Sequence, residues 1–153
     1  MALENWIDEL VRSTEITFNG KPVRGFRLYE KSEFPASLSL DNIPCALTFV
    51  RRVDIQYGTG PCFDIITGSI EYHLTKNTNR DQLPEVLHSI RRIRDVFALH
   101  RTLGNKVAYC ALETENSIVG PVKLQYGSEE EHLGLVANWW VKENTSGEIT
   151  LGN

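Results

Sequence analysis

The sequence predicts an α+β domain: a mostly antiparallel sheet with one long helix packed across one face and a short N-terminal helix. Three observations carry this. Between Asp81 and Leu103 apolar residues recur at spacings of three and four. Segments on both sides of that stretch alternate with the period of two that a half-buried strand requires. A shorter helical pattern opens the chain. At 153 residues, 41% apolar and 24% charged, the chain reads as a single globular domain over 1–153 with room for a core.

Taken in order, Leu3, Trp6, Ile7, Leu10 and Val11 give a short amphipathic helix ending near Ser13. Ile16 to Phe18, the turn pair Asn19-Gly20 and Val23 to Leu28 read as a hairpin. Residues 29–44 lose the pattern and read as an extended arm. Leu47, Phe49, Val53, Ile55 and Tyr57 share one parity, which predicts a long half-buried strand with Arg51 as the exception on its apolar side. Gly58-Thr59-Gly60-Pro61 turns the chain into a second strand with Ile66, Ile70, Tyr72 and Leu74 on one face. Gly68 within it marks a bulge or a close backbone approach. The two strands are expected to pair as an antiparallel hairpin.

In the long helix Leu83, Val86, Leu87, Ile90, Ile93, Val96 and Phe97 form the apolar stripe. Thr78, Asn79 and Asp81 offer cap oxygens, Pro84 suits the first turn, and Gly104 is expected to end the helix. Further strands are expected at Lys106 to Leu112, at Val119 to Tyr126 on an edge because of Pro121, and at Leu133 to Val141. Because both faces of that last strand carry a Trp, both are expected to be covered. Residues 143–153 read as a polar, flexible tail.

Composition narrows the function. A net charge of -4 argues against a broad basic surface for duplex DNA. No apolar run approaches the roughly 20 residues that span a membrane. Glu4, Asp8 and Glu9 stand where a secretory signal would be basic. Cys45, Cys62 and Cys110, odd in number and far apart, suit reduced thiols, and Asn144-Thr145-Ser146 is then a chance glycosylation match.

No phosphate loop, Gly-x-Gly-x-x-Gly run, Cys-x-x-Cys pair or Gly-x-Ser-x-Gly elbow occurs. His88 and His100 sit three turns apart on the helix and cannot share a metal. His73 and His132 with Cys62 or Cys110 would make a zinc site only without any supporting spacing, so solvated or hydrogen-bonded histidines are expected. Cys110 is expected to be a small buried hydrophobe, and Glu113/Glu115 and Glu129 to Glu131 to be solvated. Arg91, Arg92 and Arg94 on the helix, with Arg101 beyond it, lack a neighbouring aromatic platform in the sequence and are interrupted by Glu85 and Asp95. They read as a contact face for another protein chain rather than for nucleic acid. The pair Trp139-Trp140 reads as one residue for the core and one, Trp140, for an interface.

In size and element order the chain resembles the tail-terminator (tail-completion) proteins of long-tailed bacteriophages. The likeness runs from Ala46 to Glu143 and rests on the hairpin VRRVDIQYGTGPCFDIITGSIEYHL, the helix LPEVLHSIRRIRDVFALHR and the strand LGLVANWWVKE. It implies a virion structural protein of the tail or neck, made in the host bacterial cytoplasm. It implies a homo-oligomeric ring, a hexamer, that caps the tail tube and joins it to the head-side connector or stopper protein, with DNA passing through its lumen. No catalytic residue, cofactor, metal or membrane follows from it. Arg91, Arg92, Arg94, Arg101 and Trp140 would then belong to the subunit interface, and Glu129, Glu130 and Glu131 to a ring face or the lumen. A stopper or head-completion protein is an equal reading of the same pattern. A different class remains open: a small α+β enzyme or ligand-binding domain with a pocket between helix and sheet that involves Tyr72, Tyr109, Trp139 and His73.

Overall fold

The computed structural model describes residues 3–27, 42–56, 63–127 and 130–144. Helix α1 (Leu3–Ser13) leads into two short paired strands, β1 (Thr17–Phe18) and β2 (Lys21–Pro22), joined by Asn19 and Gly20 at positive φ. The main sheet contains β3 (Arg24–Arg27), β4 (Cys45–Gln56), β5 (Phe63–Lys76), β6 (Tyr109–Leu112), β7 (Ile118–Leu124) and β8 (His132–Asn144). Its order is β3-β4-β5-β8-β6, with β7 pairing β8 beyond β6. Among the described residues only β3 runs parallel to its neighbour, and all other pairs are antiparallel. Helix α2 (Leu83–Leu99), preceded by one 3-10 turn (Arg80–Gln82), connects β5 to β6. The α+β class is therefore as the periodicities require.

Both helices lie on one face of the sheet, the inner face. Trp6, Ile7 and Leu10 of α1 and Val86, Ile93 and Phe97 of α2 join Ile66, Ile70 and Tyr72 of β5 and Leu135, Ala137, Trp139 and Val141 of β8 in one core. Burying each such side chain contributes roughly 1.5–3 kcal/mol, so this layer holds the helices to the sheet. The Trp6 and Trp139 rings meet edge to face at 5.9 Å. Gly68 stands opposite Trp139, and a Cβ there would lie 2.4 Å from the Trp139 ring and 2.1 Å from the Phe49 carbonyl oxygen. The glycine is a close approach, as its place in the strand suggested, and the bulge lies on the partner strand. The outer face carries a smaller cluster of Phe26, Cys45 and Leu47, with Tyr126, Ile43 and Phe49 against it.

Several boundaries differ from the pattern. The hairpin closes on Lys21–Pro22 and not on the expected Val23 to Leu28, within which Arg24–Arg27 instead runs parallel to Cys45–Thr48. Helix α2 begins without a side-chain cap, with Pro84 in its first turn, and ends at Leu99 rather than at Gly104. The chain then turns so that Leu103, at positive φ, inserts fully into the core, which a continuing helix would prevent. Leu87 is not part of the buried stripe. It is 48% exposed, and Ser89 takes an inward position by donating its hydroxyl to the Glu85 carbonyl at 3.0 Å. Strand β6 starts only at Tyr109, and β8 extends through Glu143 and Asn144, so the tail can begin no earlier than residue 145. Residues 29–41 of the expected arm, the 57–62 turn with Tyr57 and Cys62, and the tail from 145 lie outside the described residues.

The most consequential difference is in β4. Val50 pairs with Gly68 and Arg52 with Thr67, so Arg51 is an extra residue in a β-bulge. Directly paired residues share a face. Before the bulge Leu47 and Phe49 face outward. After it Val53, opposite Ile66, and Ile55, opposite Asp64, face inward, while Arg52 and Asp54 face outward. The single apolar parity read from the sequence is thus two half-stripes on opposite faces, and the apparent exception, Arg51, is the residue that changes sides.

Candidate functional site

From Arg51 to Gln56 every residue of β4 is exposed, and among the described residues no strand pairs with this stretch on its far side. Val53 and Ile55 are 48% and 59% exposed, although they follow on from buried positions. Arg51 Nε donates to Ser69 Oγ at 2.9 Å, and Arg52 Nε to Asp54 Oδ2 at 2.9 Å.

Register places Arg52, Thr67, Trp140 and Ala111 in one row on the outer face, and Asp54, Ile65, Lys142 and Tyr109 in the next. The Tyr109 and Trp140 rings lie 5.2 Å apart at 37°. The Arg101 guanidinium sits 5.5 Å from the Tyr109 ring centroid and donates through Nη1 to the Tyr109 hydroxyl. Lys142 Nζ lies 4.0 Å from the Phe63 centroid. The electron-rich ring faces attract these cations, so the outer end of the sheet is an aromatic surface edged by Arg51, Arg52, Arg101 and Lys142. Arg101 and Trp140, far apart in sequence, therefore come together through Tyr109. Of the other predicted interface residues, Arg91 and Arg92 do not join them, and Arg94 reaches only the hollow beside Arg101. Arg91 lines a hollow with the exposed Leu87 and His88, while Arg94 pairs with Asp95 at 3.3 Å and lines a separate hollow with Arg101, Ala111 and Leu112. Arg92 turns back to Glu85 at 2.6 Å and to the Thr17 carbonyl at 3.2 Å. The Glu85 carboxyl is held below the usual carboxylate range, first by that bond.

The four residues considered for a pocket between helix and sheet are divided by the sheet. Tyr72 and Trp139 fill the inner core, where the Tyr72 hydroxyl donates to the Thr14 carbonyl at 2.8 Å. Tyr109 and His73 lie on the outer face. A cleft of about 520 Å³ opens elsewhere, between the end of α1, β1 and α2, with Arg12, Glu15, Arg92 and Asp95 at its rim.

His73 and His132 do meet, both fully buried, with Nδ1 to Nδ1 at 3.0 Å. The Glu71 carboxylate, 3.1 Å from His73 Nε2, fixes the protons. With the Nε2–H of His73 donating to Glu71, the tautomer that carries only that ring proton accepts at Nδ1 from His132 Nδ1–H. That leaves His132 Nε2 as a lone pair without a hydrogen bond, 4.0 Å from Glu130 Oε2. Burial first, and then the neighbouring His73, hold the His132 pKa below its ordinary value. Of the two expected environments, hydrogen-bonded or solvated, this pair has the first. Cys110 belongs to the inner core, away from this pair, and no group of three metal-binding side chains occurs among the described residues. Burial pushes the Cys45 and Cys110 thiols up to about 12, which makes them poor nucleophiles at neutral pH. Glu130 and Glu131 are exposed before β8, with Glu131 accepting from Asn77 Nδ2 at 3.4 Å; Glu129 lies outside the described residues.

What the fold defines is a class: a helix-backed, mostly antiparallel sheet with an open outer end and an exposed terminal strand segment. No protein-family model matches this chain, and comparison with curated proteins finds no match. No described helix is long and apolar enough to cross a membrane. The aromatic surface was only partly visible in the sequence, because it needs the register of β5, β6 and β8 to bring Phe63, Tyr109 and Trp140 to one face.

Proposed function

We propose that this chain is a structural subunit that works by contact with other protein chains. The reading that best unites its element order with this surface is a ring protein of a phage or phage-like tail. It would cap the tail tube, contact the head-side connector or stopper, and leave a lumen through which DNA passes without specific binding. The observation that carries the proposal is the Arg101–Tyr109–Trp140 cluster on an open sheet face. Tyr, Trp and Arg are the residues that dominate contact energies in protein interfaces. A ring needs a heterologous contact, in which one surface meets a different one on the neighbour. The exposed carboxylates Glu130 and Glu131, on the same molecule as the basic outer surface, supply opposite charge for such a pairing.

The test is the mass of the purified protein in solution together with negative-stain images. Rings that vanish in Trp140→Ala, with the fold retained by circular dichroism, are the expected result. Rings that form as well without the Trp140 and Arg101 side chains would remove the cluster from the interface. A strict monomer that gains thermal stability from a small molecule would favour the ligand-binding alternative, with the cleft beside Arg12 and Arg92 as the place to look.

A further inference from the structure

We propose that two copies of this chain pair through the edge of β4 from Arg52 to Gln56, which no strand covers among the described residues, antiparallel and centred on Val53. The inference goes beyond the ring reading and does not need it. A strand edge presents unpaired N–H and C=O groups, and a second strand is their natural partner. Natural edges are usually blunted by bulges and charges, and β4 has both, so the position of the charges decides the matter. Centred on Val53, antiparallel pairing sets Arg52 opposite Asp54 of the second copy and Asp54 opposite its Arg52. Val53 then meets its own counterpart on the inner face, and Ile55 is partly covered beside it. Sliding the strands by two residues in one direction sets Arg52 against Arg52; sliding them in the other sets Asp54 against Asp54. Like charges directly opposite are unfavourable. The edge charges therefore select one register instead of blocking pairing.

The bulge is what makes this surface possible. It leaves Arg52 to Gln56 as a regular segment and returns Val53 and Ile55 to one face, where each remains about half exposed. The Arg52–Asp54 contact at 2.9 Å within one chain shows that the two side chains already lie together on the outer face. Pairing extends that contact into a network of two arginines and two aspartates. Such a contact is two-fold, distinct from the head-to-tail contact that closes a ring, and in a ring-forming protein it would join one ring to another.

The experiment is oxidative cross-linking of full-length Val53→Cys and Ile55→Cys, each with Cys62→Ser, scored on non-reducing gels. In the proposed register the two thiols introduced at position 53 face each other, whereas two thiols introduced at position 55 lie too far apart to bridge. Val53→Cys should therefore cross-link at least about tenfold faster. Equal rates for the two variants would overturn the proposal. Within the Val53→Cys background, Arg52→Glu or Asp54→Lys alone should slow cross-linking about tenfold, and the two together should restore it. Failure of the double variant to recover, with circular dichroism unchanged, would also overturn it. The first comparison needs no charge reversal and stands if a reversed variant misfolds. Hexameric rings with no preferential cross-linking at position 53 would leave the ring reading intact and sink this one; cross-linked dimers without rings would do the reverse.

Discussion

At the scale of single residues, the buried histidine pair makes the fold sensitive to pH. The His132 pKa lies below its ordinary 6.5 because burial, and then His73, oppose its charge, while Glu130 only partly offsets them. The unfolded chain therefore takes up this proton more readily than the folded one. Its contribution to stability is complete above pH 6.5 and is lost as pH falls through 6.5 toward the depressed folded value. Besides Glu130, Glu71 is hydrogen-bonded to His73, Cys45, its thiol pushed up to about 12, stands opposite His73 in the register, and Tyr126, whose pKa is raised by burial and then by Glu71, faces Glu71. Glu85 acts in a separate window. Its lowered pKa means that its contribution is lost only below about the ordinary 4.5. Urea midpoints measured from about pH 8 to pH 5 should fall steadily below neutrality in the natural protein. His132→Gln should cost about 1–3 kcal/mol at pH 8, because the His73 contact is disturbed, and should flatten the slope above pH 5. A His132→Gln profile with the natural slope would show that another group carries the effect.

At the scale of elements, the bulge at Arg51 is an addition to an otherwise regular strand. Removing that residue joins Val50 to Arg52 and leaves Val50 and Val53 facing inward and Arg52 outward, as they already are. Deleting Arg51 should therefore cost only about 1 kcal/mol, chiefly the bond to Ser69, plus whatever local twist the bulge supplies. Deleting Val50 also keeps the register, because Arg51 takes its place opposite Gly68, but it sets an arginine where Val50 packs against the core, so a much larger loss of thermal stability is expected. Equal losses for the two deletions would show that the bulge is not a spare residue. The same feature explains where the sequence misled. A parity count along Leu47, Phe49, Val53 and Ile55 assumes an unbroken period of two, and one inserted residue reverses the faces. Local periodicity was enough for α1, for α2 to within a turn, and for β5 and β8, because each buries a stripe of its own sequence, and for the existence of β4 though not for its faces. It could not show that β3 departs from the first hairpin to lie parallel to β4, since that choice is made between distant segments. Arg101 and Trp140 were recognisable as contact residues one by one, but their meeting through Tyr109 depends on β6 pairing with β8.

At the scale of the whole molecule, the sheet has a covered centre and an open end. β5 and β8, of 14 and 13 residues, pair along nearly their whole length, and Tyr72, Trp139 and Val141 beneath them are inaccessible to solvent. Exchange of their amides requires the helices to leave the inner face and should follow global unfolding. The far half of β4 differs. It pairs only with β5 among the described residues, and its side chains from Arg51 to Gln56 are exposed. Local opening there gives up little buried apolar surface, so these amides should exchange orders of magnitude faster than those of β5 and β8. Protein concentration adds a second dimension, because among the described residues no strand covers the amides directed away from β5, and protection by a second chain depends on concentration. If copies pair along this edge, protection from Arg52 to Gln56 should rise with concentration while β5 and β8 stay unchanged. Protection independent of concentration and equal to that of the centre would mean that the edge is already covered within one chain, and both the open-end description and the pairing built on it would fail.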